Sequence, residues 1–438
     1  MSFSVIRNSY FLFLILFILF LVNGKVFELP LYEQVSMVCL GLVSFSYICH
    51  NAYQQDVHRI FLYTLLFQFV CSLILKSEFI LFSESPHGPS ADDGILYLEY
   101  AKKGAFLTPK GFIDYVSDTQ WNHIDDYGFL FYLRAICRFF PDFLVPYVLL
   151  FLNAFYISLG AVALFRTMLL IDGTNLWSAS LATSVFSSFL FFVNSSAVGL
   201  KEDLFVPIIC FSIYYMVAYY LSRRIPDLIK LAFWIAMTAF FRLSITLILI
   251  LIFVVGLVST NSNKKKIAWG FLLSIVISPI LLDLILKFFL GVSLEFIMDV
   301  ANARYEQTDT NSSAKKIGDM VAAFVGPFPN FSSTIDSIFY SYSSLLKMLL
   351  NLPVLAAVYL VFWRCMYNYY FITFLYVIGI MMTFISGTGL DLRYHIPFFP
   401  AYIILFHLFL NNYEVKKWIW IGFVVFCGLL VYFYNALK

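Results

Sequence analysis

Runs of apolar residues as long as a bilayer core is thick recur along the whole chain, and they fix the environment in which it folds. A helix needs roughly 17–25 such residues to cross the hydrocarbon region. Runs of this kind lie at 9–23, 33–50, 59–75, 143–165, 176–198, 204–221, 267–290, 346–363, 369–385, 395–411 and 418–435. Only a helix or a closed barrel satisfies its own backbone in lipid, and runs of this length read as helices. Composition agrees. With 61% hydrophobic and 12% charged residues in 438, and a mean hydropathy of +0.86, there is too little charged surface for a water-soluble domain of this size. The 51 Phe and 29 Tyr suit lipid-facing helices and interfacial rings, or the lining of a groove for a long apolar or sugar-bearing ligand. The fold class expected is an all-α polytopic membrane protein, one integral membrane domain over 1–438, with about 11–13 spans.

Other classes are disfavoured. The net charge is +2 and the Lys and Arg clusters are short, so nucleic acid has no basic tract to bind. Seven Cys occur without a CxxC; Cys39, Cys49, Cys71 and Cys210 read as small buried hydrophobes, and no metal cluster or disulfide framework is visible. The first apolar run follows Arg7 and lacks a small-x-small cleavage site, so it reads as an uncleaved span.

The stretch 231–258 is interrupted by Arg242, and charge placement decides how to read it. Arg223-Arg224 and Lys264-Lys265-Lys266 both belong on the cytoplasmic side by the positive-inside rule. An even number of passes must separate them, which two short helices hinged at Arg242 provide. The same assignment puts Arg7, Arg59, Arg166, Arg364 and Lys416-Lys417 inside. It collects five non-apolar segments on the outer side: the long loop 76–142, the Gly-Leu-Lys-Glu-Asp segment 199–203, the Arg242 turn, the long loop 291–345 and the segment 387–395. Within the first loop, 94–103 reads as a short helix capped by Asp92 or Asp93. Residues 128–140, with Arg134 and Arg138 four apart, read as an interfacial helix or a short inserted segment.

These outer segments hold the residues with chemistry to offer. The adjacent carboxylates Asp92 and Asp93, followed by Gly94, Tyr97 and Glu99, can supply a general base, or simply a solvated cap. Asp125-Asp126 beside His123 is a weaker duplicate. Lys201 can pair with a phosphate or an acid, whereas Glu202 and Asp203 also suit a helix N-terminus for ordinary dipole reasons. Arg242 in an apolar stretch demands a cavity or a partner such as Asp283, and a diphosphate is a natural mate for a guanidinium. Arg393 and His395, with Tyr394 between them, enter a helix with Pro397 in its first turn. Arg304, Tyr305, Lys315 and Lys316 lie in the second long loop.

Four short segments resemble those of GT-C-type membrane glycosyltransferases, and within them the bacterial surface-polysaccharide (O-antigen or capsule) polymerases of Wzy-like type. They are the acidic-aromatic "DDGILY" 92–97, "GLKED" 199–203, "GPFPNF" 326–331 and "RYHIPFFP" 393–400. The resemblance implies a GT-C-like helical bundle in the bacterial inner membrane that joins polyprenyl-diphosphate-linked (undecaprenyl-type) oligosaccharide repeats at the periplasmic face. It implies that Asp92 or Asp93 is the catalytic base and that Lys201, Arg242 and Arg393 hold the diphosphate. Glu202, Arg304, His395, Tyr97 and Tyr394 are candidates for the substrate-binding surface. No metal or other cofactor is called for, and no Walker A or GxGxxG segment is present. The partners implied are the lipid-linked donor and acceptor, membrane lipids, a flippase and a chain-length regulator. The chain departs from the simplest pattern in its additional spans and in an acidic loop that follows three of them. Two alternatives stay open: a transporter or flippase of a lipid-linked glycan, and a non-catalytic scaffold in envelope assembly.

Overall fold

A computed structural model of the protein describes residues 43–44, 46–48, 56–82, 92–118, 127–173, 175–259, 335–385, 392–413 and 417–436, with a few positions between 283 and 326. It is all-helical, 89% helix without strands among the described residues. The helices are α1 (Val57–Phe82), α2 (Asp92–Lys103), α3 (Pro109–Asp118), α4 (Tyr127–Phe139), α5 (Val145–Ile171), α6 (Leu176–Ser187), α7 (Leu190–Val198), α8 (Glu202–Ser222), α9 (Ile225–Ala239), α10 (Leu243–Ser259), α11 (Ile335–Trp363), α12 (Tyr367–Ile385), the single turn α13 (Leu392–His395), α14 (Phe399–Asn412) and α15 (Lys417–Ala436). A 3-10 turn, Ile396–Phe398, joins α13 to α14. Among the described residues, six stretches are long and apolar enough to cross a membrane: Val57–Leu81, Val145–Ile171, Leu176–Val198, Glu202–Ser222, Tyr342–Trp363 and Leu392–Asn412. The chain is a multi-pass helical membrane protein. The expected span at 9–23, and most of those at 33–50 and 267–290, lie outside the described residues.

The bundle is built around α5 packed on α8, with α1 against α5 and α7, α9 against α8, and α14 against α6, α11 and α12. The segment 176–198 and the segment 392–412 are its most thoroughly buried elements. At one end of the bundle a polar network joins helix termini. Asn411 Nδ2 donates to Asp172 Oδ2 at 2.8 Å, and the Ser178 hydroxyl lies 3.0 Å from His407 Nδ1. Asn175 caps α6 by accepting from the Ser178 N–H, as its side chain predisposes it to do. Nearby Ser222 donates to Asp227, and Arg364 donates to Asn412.

The 176–198 segment is broken at Ser188-Phe189 into α6 and α7. A side chain inserted from outside explains the break: Gln68 Nε2 donates to the Ser187 carbonyl, and Thr64 donates to the Ser187 hydroxyl at 3.1 Å. Gln68 belongs to a buried polar stripe on α1, Thr64, Gln68, Ser72 and Lys76, spaced one per turn and facing α6 and α7. Ser72 donates to the Val193 carbonyl at 3.5 Å and the Lys76 ammonium to the Ala197 carbonyl at 2.9 Å.

Several boundaries differ from those read in the sequence. Helix α1 continues to Phe82 instead of ending at 75, because Lys76 is not an exit into water but a buried donor to an unsatisfied carbonyl in the last turn of α7. Helix α11 starts at Ile335, inside the segment read as the second long loop. The first long loop holds a third helix, α3, not expected there. Helix α4 forms where one was expected, yet Arg134 does not share a water-facing surface with Arg138. Arg134 is buried and donates to the Gly104 carbonyl at 2.9 Å and to the Leu107 carbonyl, with its guanidinium 5.1 Å from the Phe112 ring centroid. It clamps the turn after α2 onto α4, while Arg138 stays exposed.

Candidate functional site

Four of the segments assigned to the outer side by charge meet at the opposite end of the bundle from the Asp172–Asn411 network. The first is the start of α2. Its glycine follows the acidic pair because the helix runs against the end of α7: a Cβ on Gly94 would lie 2.3 Å from the Val198 carbonyl oxygen. Gly94→Ala should therefore force α2 away from α7 and lower stability by about 1–3 kcal/mol, read as a fall in the unfolding midpoint of the purified protein.

The second segment is the link between α7 and α8. Gly199 takes a left-handed conformation, φ 91°, which ends α7 and returns its N–H to the Ser195 carbonyl at 2.9 Å. Lys201 is then the N-cap of α8, and Glu202 and Asp203 form its first turn. The third is the hinge between α9 and α10. Arg242 N donates to the Thr238 carbonyl at 2.8 Å, and the Thr238 and Thr246 hydroxyls meet across the hinge at 2.7 Å. Two helices of 15 and 17 residues flank it, about 22 and 25 Å long. The hinge also docks α4: the Gly128 N–H, one of the unsatisfied donors at that helix start, donates to the Phe240 carbonyl at 2.8 Å. The fourth is α13, carrying Arg393, Tyr394 and His395.

Arg393 ties these segments together. Its Nε donates to Glu202 Oε1 at 2.8 Å and its Nη1 to Asp93 Oδ2 at 2.6 Å. The two carboxylates differ in setting: the Glu202 side chain is 2% exposed, that of Asp93 47% exposed, and that of Arg393 22%. One edge of the guanidinium is thus fixed in the protein and the other faces an accessible carboxylate. The Arg242 guanidinium lies 5.4 Å from the Tyr394 ring centroid, a cation–π distance. Both Arg242 and Lys201 are near enough for their charge to act on Glu202. Among the described residues, no carboxylate forms an ion pair with Arg242. Asp283, a possible mate in the sequence, instead accepts from Lys287 at 2.7 Å. Tyr97 is buried in the wall of the cluster, edge-on to Phe129 at 5.2 Å. Burial pushes its phenol above the ordinary range, Glu202 adding to the effect and Arg393 opposing it. His395 is buried beneath the same turn.

The structure therefore brings together Asp93, Tyr97, Lys201, Glu202, Arg242, Arg393, Tyr394 and His395. The backbone of Asp92 starts α2. Arg304, Tyr305, Lys315, Lys316, His123, Asp125 and Asp126 lie outside the described residues, as does most of the Gly-Pro-Phe-Pro turn. Its first residue is described: the Gly326 carbonyl accepts from Lys347 Nζ at 2.6 Å, a buried lysine inside α11. Sequence reading passed over Lys347 and Lys76 alike, although a lysine within an apolar run is itself the signal. Comparison with known protein families, with curated proteins and with solved structures finds no match.

With Asp93 and Glu202 ionised, three cations face two described carboxylates. Such a site can take an anionic group, and the most accessible carboxylate is the one an incoming anion would displace from Arg393.

Proposed function

We propose that the protein is a GT-C-type glycosyltransferase of the polysaccharide-polymerase kind, joining polyprenyl-diphosphate-linked oligosaccharide repeats at the periplasmic face of the bacterial inner membrane. The observation that carries this reading is Arg393 shared between buried Glu202 and exposed Asp93, with Arg242 and Lys201 beside it. Transfer from a lipid diphosphate needs two things at one place. Negative charge must be stabilised as it develops on the leaving group, and a carboxylate must take the proton of the attacking hydroxyl.

In this reading the donor diphosphate takes the outer edge of Arg393 and the free face of Arg242. Glu202 holds Arg393 in place throughout. Asp93, released from Arg393, accepts the proton of an acceptor sugar hydroxyl. The hydroxyl oxygen bonds to the anomeric carbon, the bond from that carbon to the diphosphate oxygen breaks, and the electron pair leaves with the polyprenyl diphosphate. The proton ends on Asp93. Tyr394 supplies a ring face to the sugars, and buried Tyr97 packs the wall behind it. Asp92 is the second carboxylate of the pair, and its replacement beside that of Asp93 separates their roles.

The test is transfer by the purified protein supplied with its lipid-linked repeat units. Extended glycan is expected, and Arg242→Ala should reduce the rate about 100-fold, the size expected when one charge-stabilising donor is lost. A protein that moves the lipid-linked glycan across a vesicle bilayer without extending it is a transporter. One that does neither with its native glycan is a scaffold.

A further inference from the structure

Directly beneath Glu202, where α5, α7 and α8 meet, lies a second carboxylate that the transfer reaction does not use. Asp203 is fully buried, and no Lys or Arg among the described residues forms an ion pair with it. Its Oδ2 accepts from the Ser196 hydroxyl at 2.8 Å and from Asn153 Nδ2 at 3.4 Å. Its Oδ1 is buried without a hydrogen-bond partner among the described residues. Because Asn153 turns its amino group toward the carboxylate, its own Oδ1 is left buried and likewise without a hydrogen-bond partner among the described residues. The Ser195 hydroxyl stands near the same carboxylate without completing a hydrogen bond of good geometry. Asn153 is 1% exposed and Ser195 is fully buried, so bulk water does not reach these atoms.

Leaving a carboxylate in such a place without a counter-charge is costly, and every unpaired acceptor beside it adds to the cost. A bound water would satisfy oxygens but leave the charge. A proton would remove the charge but serve a single oxygen. A small cation does both, and it suits this set of ligands: hard oxygen atoms from a carboxylate, an amide and a hydroxyl. One carboxylate with neutral oxygens balances a single positive charge. We propose that Asp203, Asn153 and Ser195 form a binding site for a monovalent alkali cation, held between α5, α7 and α8. The site is independent of the glycosyltransferase reading.

Its test is the unfolding midpoint of the purified full-length protein in detergent, near neutral pH and at constant ionic strength, with choline chloride replaced stepwise by LiCl, NaCl or KCl. A saturable upward shift of about 2 °C or more with at least one alkali ion is expected. Asp203→Asn and Asn153→Ala should abolish it. Ser196→Ala, which removes a hydroxyl that orients the carboxylate, should raise the half-saturating concentration about tenfold. If Asp203→Asn does not fold, Asn153→Ala and Ser196→Ala carry the test. Equal midpoints in all four salts overturn the proposal, as does a shift that the variants keep in full. A midpoint that follows pH with no preference among the salts also overturns it and assigns the charge to a proton.

Discussion

Arg393→Ala is expected to cost the protein about 3 kcal/mol of stability and to abolish transfer activity. The figure is the low end of what breaking a buried ion pair costs, because Arg393 keeps 22% exposure. The penalty comes from the partner left behind. The Glu202 side chain is 2% exposed and its second oxygen is buried without a hydrogen bond among the described residues, so Arg393 is its main compensation, with Arg242 and Lys201 acting on it as well. The check is a double-mutant cycle read by thermal unfolding: Glu202→Gln with Arg393→Ala should recover most of the loss, since the uncompensated charge goes with it. Additive losses would show that the two side chains act separately.

Asp93→Asn should do the reverse. Its carboxylate is 47% exposed, and an ion pair in that setting contributes at most about 1 kcal/mol. Stability should therefore change little. Activity should fall by about 10²–10⁴-fold, the usual contribution of a general base. The two carboxylates on one guanidinium then separate by experiment: one is needed to hold Arg393 and the other to accept a proton. Equal transfer by Asp93→Asn and the parent protein would remove Asp93 from the reaction and pass the role to Asp92→Asn as the next variant.

Much of this site was legible because charge, not conservation or homology, orders a membrane chain. Arg223-Arg224 and the lysines at 264–266 required an even number of passes between them, so a break at Arg242 followed. Once it was placed, residues 93, 202, 242 and 393 fell on one side. What was not legible depends on which way side chains turn. Arg134 and Arg138 are spaced for a common face, yet Arg134 finds two carbonyls to cap and turns inward. Asn153 is one polar residue in an apolar run, and only the packing of α5 on α8 brings it to Asp203. The end of α1 was misplaced because a lysine after an apolar run reads as an exit to water. The spacing of Thr64, Gln68, Ser72 and Lys76 was visible in the sequence, but a search for apolar runs averages over such a stripe.

That stripe bears on how the protein is made. Helix α1 leaves the ribosome well before residues 176–198 exist, and alone in lipid it would present a glutamine and a lysine to hydrocarbon, the lysine at about 2.5–3.5 kcal/mol if it lay at mid-bilayer. The acceptors for both are carbonyls of Ser187 and Ala197. Insertion is therefore not a sequence of independent threading events. Helix α1 has to wait at the insertion machinery, or close to water, until the segment 176–198 arrives to receive it.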